Sequence, residues 1–352
     1  MKSVSIVIPC YNYADYVRLA IESALAQDWP RVEVVVVDDG STDASPAVIA
    51  AFGSRIRAVH QANSGHVAAF NHGFSVATGD IVIFLDADDL LHPGAARAAA
   101  ESWRPGVSKL QYNLDLIGAD GERLGRQCCN FPEGYDAAAI RREFAACNTY
   151  QWPVCTGNAY GREFLEQTMP LSVRMAPDGL LNTVAPLFGE VLTRADSLGC
   201  YRFHQANQSY HGAGTTGVEQ RFVKQIALRR SEERALRAAA LVRGTVLAPV
   251  DLLDHELVFI NYRMMVKKLG QPYEGSDGDT VASLWRRALD FMRERPLSLR
   301  FRLQNLLWLS VLALAPAMLA RQLVLLRFNR DTLFKPMRQA GMRLRNLMHR
   351  TP

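Results

Sequence analysis

Over its first ninety residues the chain alternates between short β-branched runs and segments of helical period, and the runs are apolar on both faces instead of on one. In order they read VSIVIP, ADYVRLAIESALAQ, VEVVVVDD, ASPAVIAAF, IRAVH, GHVAAFNHGFSVAT and DIVIFLD: strand, helix, strand, helix, strand, helix, strand. A strand with no polar face has to be covered on both sides. This predicts an α/β domain with a mainly parallel central sheet between helices. Ligands of such open sheets bind beyond the carboxyl ends of the strands. Polar residues stand at those ends: Tyr11 and Asn12 after the first strand, Asp38 and Asp39 after the second, Asp86 and Asp88 after the fourth.

Further along, KLQYNLDLIGADGERLG reads as strand, Asp120-Gly121 turn and strand, and DAAAIRREFAA as a helix. The loop CNTYQWPVCTGNAYG is followed by a helix LLNTVAPLF, a strand EVLTR and another strand LGCYRFH. Gly and Thr cluster in QSYHGAGTTG, which sets the expected domain boundary at residues 211/212; the remainder, 212–352, is Arg/Leu/Ala-rich and helical in pattern. The six cysteines show no C-x-x-C pairing and no His at zinc spacing, so they read as reduced and structural, as suits a cytoplasmic protein. The N-terminal MKSVSIVIP reads as a first strand and not as a secretion signal.

The acids demand a reason. In GDIVIFLDADD an apolar strand runs into Asp86, Asp88 and Asp89, where like charges repel. Residues two apart on a strand point the same way, so Asp86 and Asp88 can converge on a hard cation such as Mg²⁺ or Mn²⁺, whose shell is completed by water and substrate phosphates. Capping of the next helix is the other reading, and these residues alone leave both open. VVDDGSTD is equally compatible with a turn and a helix cap.

Taken together, VSIVIPCYNYADYVRLAIESALAQ, VVVVDDGSTD, NSGHVAAFNHGFSVATGDIVIFLDADD, TGNAYGREFL, MAPDGLL and YRFHQANQS resemble the family 2 glycosyltransferases of the GT-A fold, over about residues 1–211. The resemblance implies a nucleotide-sugar donor whose diphosphate is bridged by Mn²⁺ or Mg²⁺ at a DxD element, with Asp88 the direct ligand and Asp86 near the ribose and the ion's outer shell. It places Pro9 and Tyr11 in the nucleoside loop. Asp39 is set against the base N3–H, which favours UDP- or dTDP-sugars, and Asn63, Gly65 and Asn71 along the donor site. Phe70 stands where the family often carries Arg, so His66 or Arg202 is expected to compensate. Asp178 matches the catalytic base of an inverting reaction, with Pro177 where an acid is common. Arg202 and His204 are expected beside the same pocket, His204 as a further metal or diphosphate contact. Thr156, Gly157, Asn158 and Trp152 are expected on the acceptor side.

The expected acceptor is a saccharide or lipid-linked saccharide of a surface polysaccharide or glycolipid. A polyprenyl-phosphate glycosyltransferase, which needs no base, and a non-catalytic nucleotide-sugar binding protein are the alternatives. Residues 306–320, LLWLSVLALAPAMLA, are too short and too interrupted by Pro316 to span a bilayer. They read as a buried core helix or an in-plane interfacial helix, and the basic amphipathic stretch 330–350 is compatible with peripheral contact on an anionic leaflet or with a solvated helix packed on the catalytic domain. The basic tail comes with no nucleic-acid recognition module, and nothing in the sequence indicates an oligomeric state.

Overall fold

The computed structural model describes residues 1–172, 177–204, 217–295 and 297–328. The basic stretch 330–350 and most of the Gly/Thr-rich boundary lie outside them. Strands β1 (Val4–Cys10), β2 (Val32–Asp38), β3 (Arg57–His60) and β4 (Ile81–Phe84) are parallel, linked through helices α1 (Val17–Leu25), α2 (Ser45–Ala50) and α3 (His66–Val76). The expected β/α alternation is met at each step. Val4, Ile6, Ile8, Val34, Val36, Ile81 and Ile83 pack with Val17, Ala20, Ile21 and Ala24 of α1 on one face. On the other face α3 lies so close that a Cβ on Gly73 would come 2.3 Å from Val7 Cγ1, so only glycine fits there. Two covered faces explain why these strands carry almost no polar residues.

The chain then adds β5 (Leu90–Leu91), α4 (Ala95–Ser102), β6 (Val107–Gly118), β7 (Arg123–Cys128), α5 (Ala137–Cys147), β8 (Asn158–Gly161), α6 (Arg162–Thr168), α7 (Pro177–Phe188) and β9 (Glu190–Phe203). The strand order is β3-β2-β1-β4-β8-β6-β9-β5, with β7 on the flank of β6. The second half of the sheet is mixed, since β8 runs antiparallel to both β4 and β6 while β6 and β9 are parallel. One expectation needs correction: EVLTR and LGCYRFH are not two strands. They are the two ends of the single strand β9, whose polar middle stays paired to β6 across register shifts around Asn113.

Helix α8 (Val218–Val242) is shared between two compact units. One unit comprises Met1–Asn207 with Ser231–Val250, the other Gln208–Arg230 with the chain from Asp251. In the second unit, α9 (Leu257–Lys268), α10 (Val281–Glu294), α11 (Leu299–Leu314) and α12 (Ala317–Phe328) bury Ile260, Met264, Leu284, Ala288, Leu309 and Leu312. At its centre the buried Arg263 donates to both oxygens of Asp279 at 2.7 Å and to Asp254 at 2.6 Å, and Tyr273 and Arg287 also donate to Asp279. Burial alone would raise the Asp279 carboxyl, but these bonds outweigh it and hold its pKa below the usual range. Pro316 separates α11 from α12, and among the described residues no helix is long and apolar enough to cross a membrane.

Candidate active site

The rim at the ends of β1 and β2 is built by backbone chemistry. Val7 O accepts from Leu85 on the β4 side and Cys10 O accepts from Asp39 on the β2 side, so Pro9 would aim its missing N–H toward β4, beyond the last paired residue Phe84. Proline is tolerated there because no ladder bond is lost. Asn12, in the left-handed region, accepts from Thr42 N (2.7 Å) and Asp43 N (3.3 Å), tying the loop after β1 to the loop after β2. Its neighbour Tyr11 is left 41% exposed at this rim.

Asp39 is buried, and it organises the next loop. Its Oδ1 accepts from Gln61 Nε2 (2.7 Å) and Ser64 N (2.9 Å), and its Oδ2 from Gly65 N (2.8 Å). Gly40, at φ +71°, lets the turn after β2 lie against this segment, where a Cβ would stand 2.6 Å from Asn63 N. Tyr11, Asp39, Asn63 and Gly65 are thereby gathered on one edge. Asn71 is placed differently: both ends of its amide are used on Leu171, donating to the carbonyl at 2.9 Å and accepting from the N–H at 2.8 Å. Its observed role is to clamp α3 to the segment leading toward α7. Phe70 is buried and stacked on Phe84 at 4.2 Å, which explains why an apolar ring and not a cation occupies that position.

The three acids after β4 have separate jobs. Asp89 is wholly buried; its Oδ2 accepts from Thr156 Oγ1 (2.6 Å) and its Oδ1 from Arg202 N (2.8 Å). It joins the β4 end to β8 and β9, and it is a brace and not a ligand. The Thr156 hydroxyl also accepts from Asp86 N at 3.3 Å. Asp88 Oδ2 lies 2.8 Å from His204 Nε2, while Tyr16 stacks on the His204 ring at 4.8 Å. Asp86 Oδ1 is 3.8 Å from His66 Nε2 at the start of α3. Arg202, expected at the donor, is buried behind this cluster: its guanidinium donates to Asp88 O (2.7 Å) and Ala119 O (3.0 Å) and lies over the Tyr16 ring.

Electrostatically the cluster carries more negative charge than it can hold alone. Burial, then the Asp88 charge, then that of Asp178, push the Asp86 carboxyl well above its usual range. Burial followed by Asp88 and Asp86 does the same to Asp89, against the lowering effect of its two hydrogen bonds. A cation would reverse this strain. Among the described residues no three His, Cys, Asp or Glu side chains converge to hold an ion by themselves. A small octahedral cation keeps waters and phosphate oxygens in its shell, and two ligands about 2.1 Å from it at right angles stand about 3 Å apart. The 2.8 Å between Asp88 and His204 fits such a pair.

Asp178 is the second residue of α7, half-buried, with its carboxyl pushed up by burial and lowered in part by the His66 imidazole. Its mutual influence with Asp86 and His66 brings it into the same cluster, from a hundred residues away in sequence. The buried Lys109 also acts on it electrostatically, and burial holds that amine well below its usual pKa. Lys109 Nζ donates to Gln111 Oε1 and Tyr150 OH, each at 3.1 Å. Nothing in the sequence marked it as near the site, because a lysine inside a strand reads as a surface residue. Thr156, Gly157 and Asn158, expected to line the acceptor side, are instead buried, and form the floor beneath the acids. Trp152 is half-buried, its carbonyl accepting from Cys129 Sγ.

A mainly parallel sheet flanked by helices, with an acid cluster at the carboxyl end of a central strand, is the architecture of the GT-A transferases. A model of glycosyl transferase family 2 matches residues 5–129. A Nostoc glycosyltransferase described as uncharacterized is 34% identical over 226 residues, 62% of this chain and 70% of that protein. The chain belongs to glycosyl transferase family 2 and is a glycosyltransferase. The succinoglycan biosynthesis protein ExoO of Rhizobium meliloti is 41% identical over 127 residues, 35% of this chain and 36% of that protein, so it is matched over about a third of its length. Among solved structures, S. aureus TarS in complex with UDP-GlcNAc superposes with a TM-score of 0.51 at 17% identity, over 88% of this chain and 90% of that one. The Pyrobaculum calidifontis mannosyltransferase PcManGT, in complex with GDP-Man and Mn²⁺, gives 0.51 at 15% identity, over 95% and 88%. At such identities the structural likeness concerns the fold.

Proposed function

We propose that the chain is a divalent-metal-dependent inverting glycosyltransferase. It moves a sugar from a UDP- or dTDP-sugar to a hydroxyl of a saccharide or lipid-linked saccharide, in surface polysaccharide or glycolipid assembly at the cytoplasmic face of a membrane. The observation that carries this reading is the grouping of Asp178 with Asp86, Asp88, His66 and His204 beside the rim of Tyr11 and Asp39. The pathway assignment is supported by the likeness to ExoO, and the nucleotide by Asp39.

Each oxygen of a carboxylate has two acceptor positions. Among the described residues Asp39 Oδ1 uses two and Oδ2 one, so Oδ2 retains a place for the N3–H of uracil or thymine. Tyr11 covers the base, and Asn63 and Gly65 border the sugar. Asp88 and His204 would hold Mn²⁺ or Mg²⁺, with Asp86 in its outer shell, and the ion supplies charge neutralisation on the departing diphosphate. Asp178 takes the proton of the acceptor hydroxyl as its oxygen bonds to C1 and the C1–O bond to the diphosphate breaks. A carboxyl raised by burial is a stronger base than one in water, which suits this task.

The test is calorimetric titration of UDP, dTDP and GDP, each with Mn²⁺ or with EDTA, into wild type, Asp88→Ala and His204→Ala. Binding of UDP or dTDP that needs Mn²⁺ and weakens at least about tenfold in each variant is the expected result. Equal affinity in EDTA, or in both variants, refutes the metal assignment.

A further inference from the structure

Among the described residues the outer face of α11 is an exposed apolar row. Its inner side is fixed: Leu309 and Leu312 are buried, Trp308 Nε1 donates to Asn261, Ser310 Oγ accepts from Trp285, and the carbonyl of Ala313 accepts from Lys268. The opposite side presents Leu303, Leu307, Val311 and Leu314 at helical spacing, and Met318 follows beyond Pro316. Leu307 is 68% exposed, Leu314 86% and Met318 84%. Single exposed leucines are ordinary, but a continuous row of them is the mark of an interaction surface.

Charge decides the partner. From Arg295 to Phe328 the sequence has five arginines (Arg295, Arg300, Arg302, Arg321 and Arg327) and no Asp or Glu. Arg300 and Arg321, both exposed, flank the apolar row near its two ends, Arg321 also donating from Nε to Glu219 Oε1 at 2.9 Å. The sequence continues in the same vein, with six Lys/Arg against one Asp in residues 329–352. A water-facing helix or a protein interface has no need to exclude acids over so long a stretch. A helix lying on negatively charged headgroups does, because each acid would be repelled while arginines at the margins are attracted. At 1.5 Å per residue the sixteen residues of α11 cover only about 24 Å, short of a span of about 30 Å. The row therefore lies along a surface and does not cross it.

We propose that α11 and the start of α12 form a docking surface for an anionic bilayer, with Leu303, Leu307, Val311, Leu314 and Met318 entering the headgroup region and Arg300 and Arg321 pairing with lipid phosphates. The inference does not depend on the transfer chemistry, and its test does not use activity. The full chain is sedimented with vesicles of phosphatidylcholine alone or with about a third phosphatidylglycerol, at low and at about 0.5 M salt. Wild type is compared with Leu307→Glu/Leu314→Glu and with Arg300→Gln/Arg321→Gln. The two leucines and Arg300 face solvent, so circular dichroism and melting temperature should match wild type in the leucine pair; the arginine pair also gives up the Arg321–Glu219 bond, and Arg300→Gln alone replaces it if the pair melts lower. Binding to the anionic vesicles, weakened at least tenfold by salt, by the leucine pair and by the arginine pair, supports the proposal. Three results overturn it: no binding by well-folded wild type, binding that ignores the leucine substitutions, or a dimer in sedimentation equilibrium that those substitutions dissociate while vesicles remain unbound. The last would assign the row to a second copy of the chain.

Discussion

Replacing Thr156 by Val tests the division of labour among the three acids. The substitution keeps the shape of a wholly buried side chain and deletes one hydroxyl, which donates to Asp89 at 2.6 Å. A hydrogen bond to an ionised group contributes about 1.5–3 kcal/mol, and one between neutral groups about 0.5–1.5 kcal/mol. Which applies depends on pH, because the Asp89 carboxyl is raised by burial and by Asp88 and Asp86. A carboxyl raised in the folded state is no burden below its unfolded pKa of about 3.9, and stability is lost as pH climbs from there through the folded value. Without the threonine the folded value rises further, so the damage grows with pH. In EDTA, thermal unfolding should show a loss of about 1 kcal/mol at the acid end, where the carboxyl is protonated, growing toward about 2–3 kcal/mol as pH rises and the carboxyl ionises. For a unit of this size these correspond to about 2–4 °C and about 4–12 °C. A loss that does not grow with pH, or one under about 1 °C throughout, would refute the claim that this bond holds Asp89 as a brace.

Asp178→Asn should lower the transfer rate by roughly 10²–10⁴ with little change in donor KM, as measured by nucleotide release. The wild-type acid limb should lie above the ordinary carboxylate range, since burial raises this group. In EDTA the same variant should melt higher than wild type at pH 8 and alike near pH 4, because it removes a carboxylate whose ionisation opposes folding. Asp279→Asn should cost about 3–5 kcal/mol in the helical unit by leaving Arg263 buried with its main partner weakened, seen as a loss of helical ellipticity at lower temperature; an unchanged melt would contradict that network's role. Because the Asp279 pKa is depressed, its contribution is present above the unfolded value and disappears as pH falls through the folded one.

The first ninety residues were readable because their strands are apolar on both faces and their helices carry clear periods, and local pattern suffices for such elements. Asp88 is visible in the sequence as an acid at a strand end, but its 2.8 Å contact with His204 joins residues far apart in the chain and no local pattern gives it. What the sequence hid was partnership across long separations. Asp88 and Asp89 are indistinguishable in a string of acids; only Thr156 and the Arg202 backbone make one of them a brace. Asn71 looks like a ligand contact until Leu171 is seen to take both ends of its amide. The polar residues between EVLTR and LGCYRFH divide the strand in the sequence, yet they stay in β9 because bulges opposite Asn113 absorb the mismatch.

That continuous strand has a consequence for how enzymes of this kind can be recombined. β9 begins at Glu190, held by Arg104 and Arg141, and leads directly to Arg202 and His204. Side chains on a strand alternate between faces, so inserting or deleting one residue between Glu190 and Phe203 would turn the following residues over and carry His204 away from Asp88. A chimera that exchanges the loops between family members must therefore carry residues 190–204 as one block, with residues 86–89 from the same parent. A junction placed inside that block would give a protein able to fold its sheet and unable to bring His204 to Asp88.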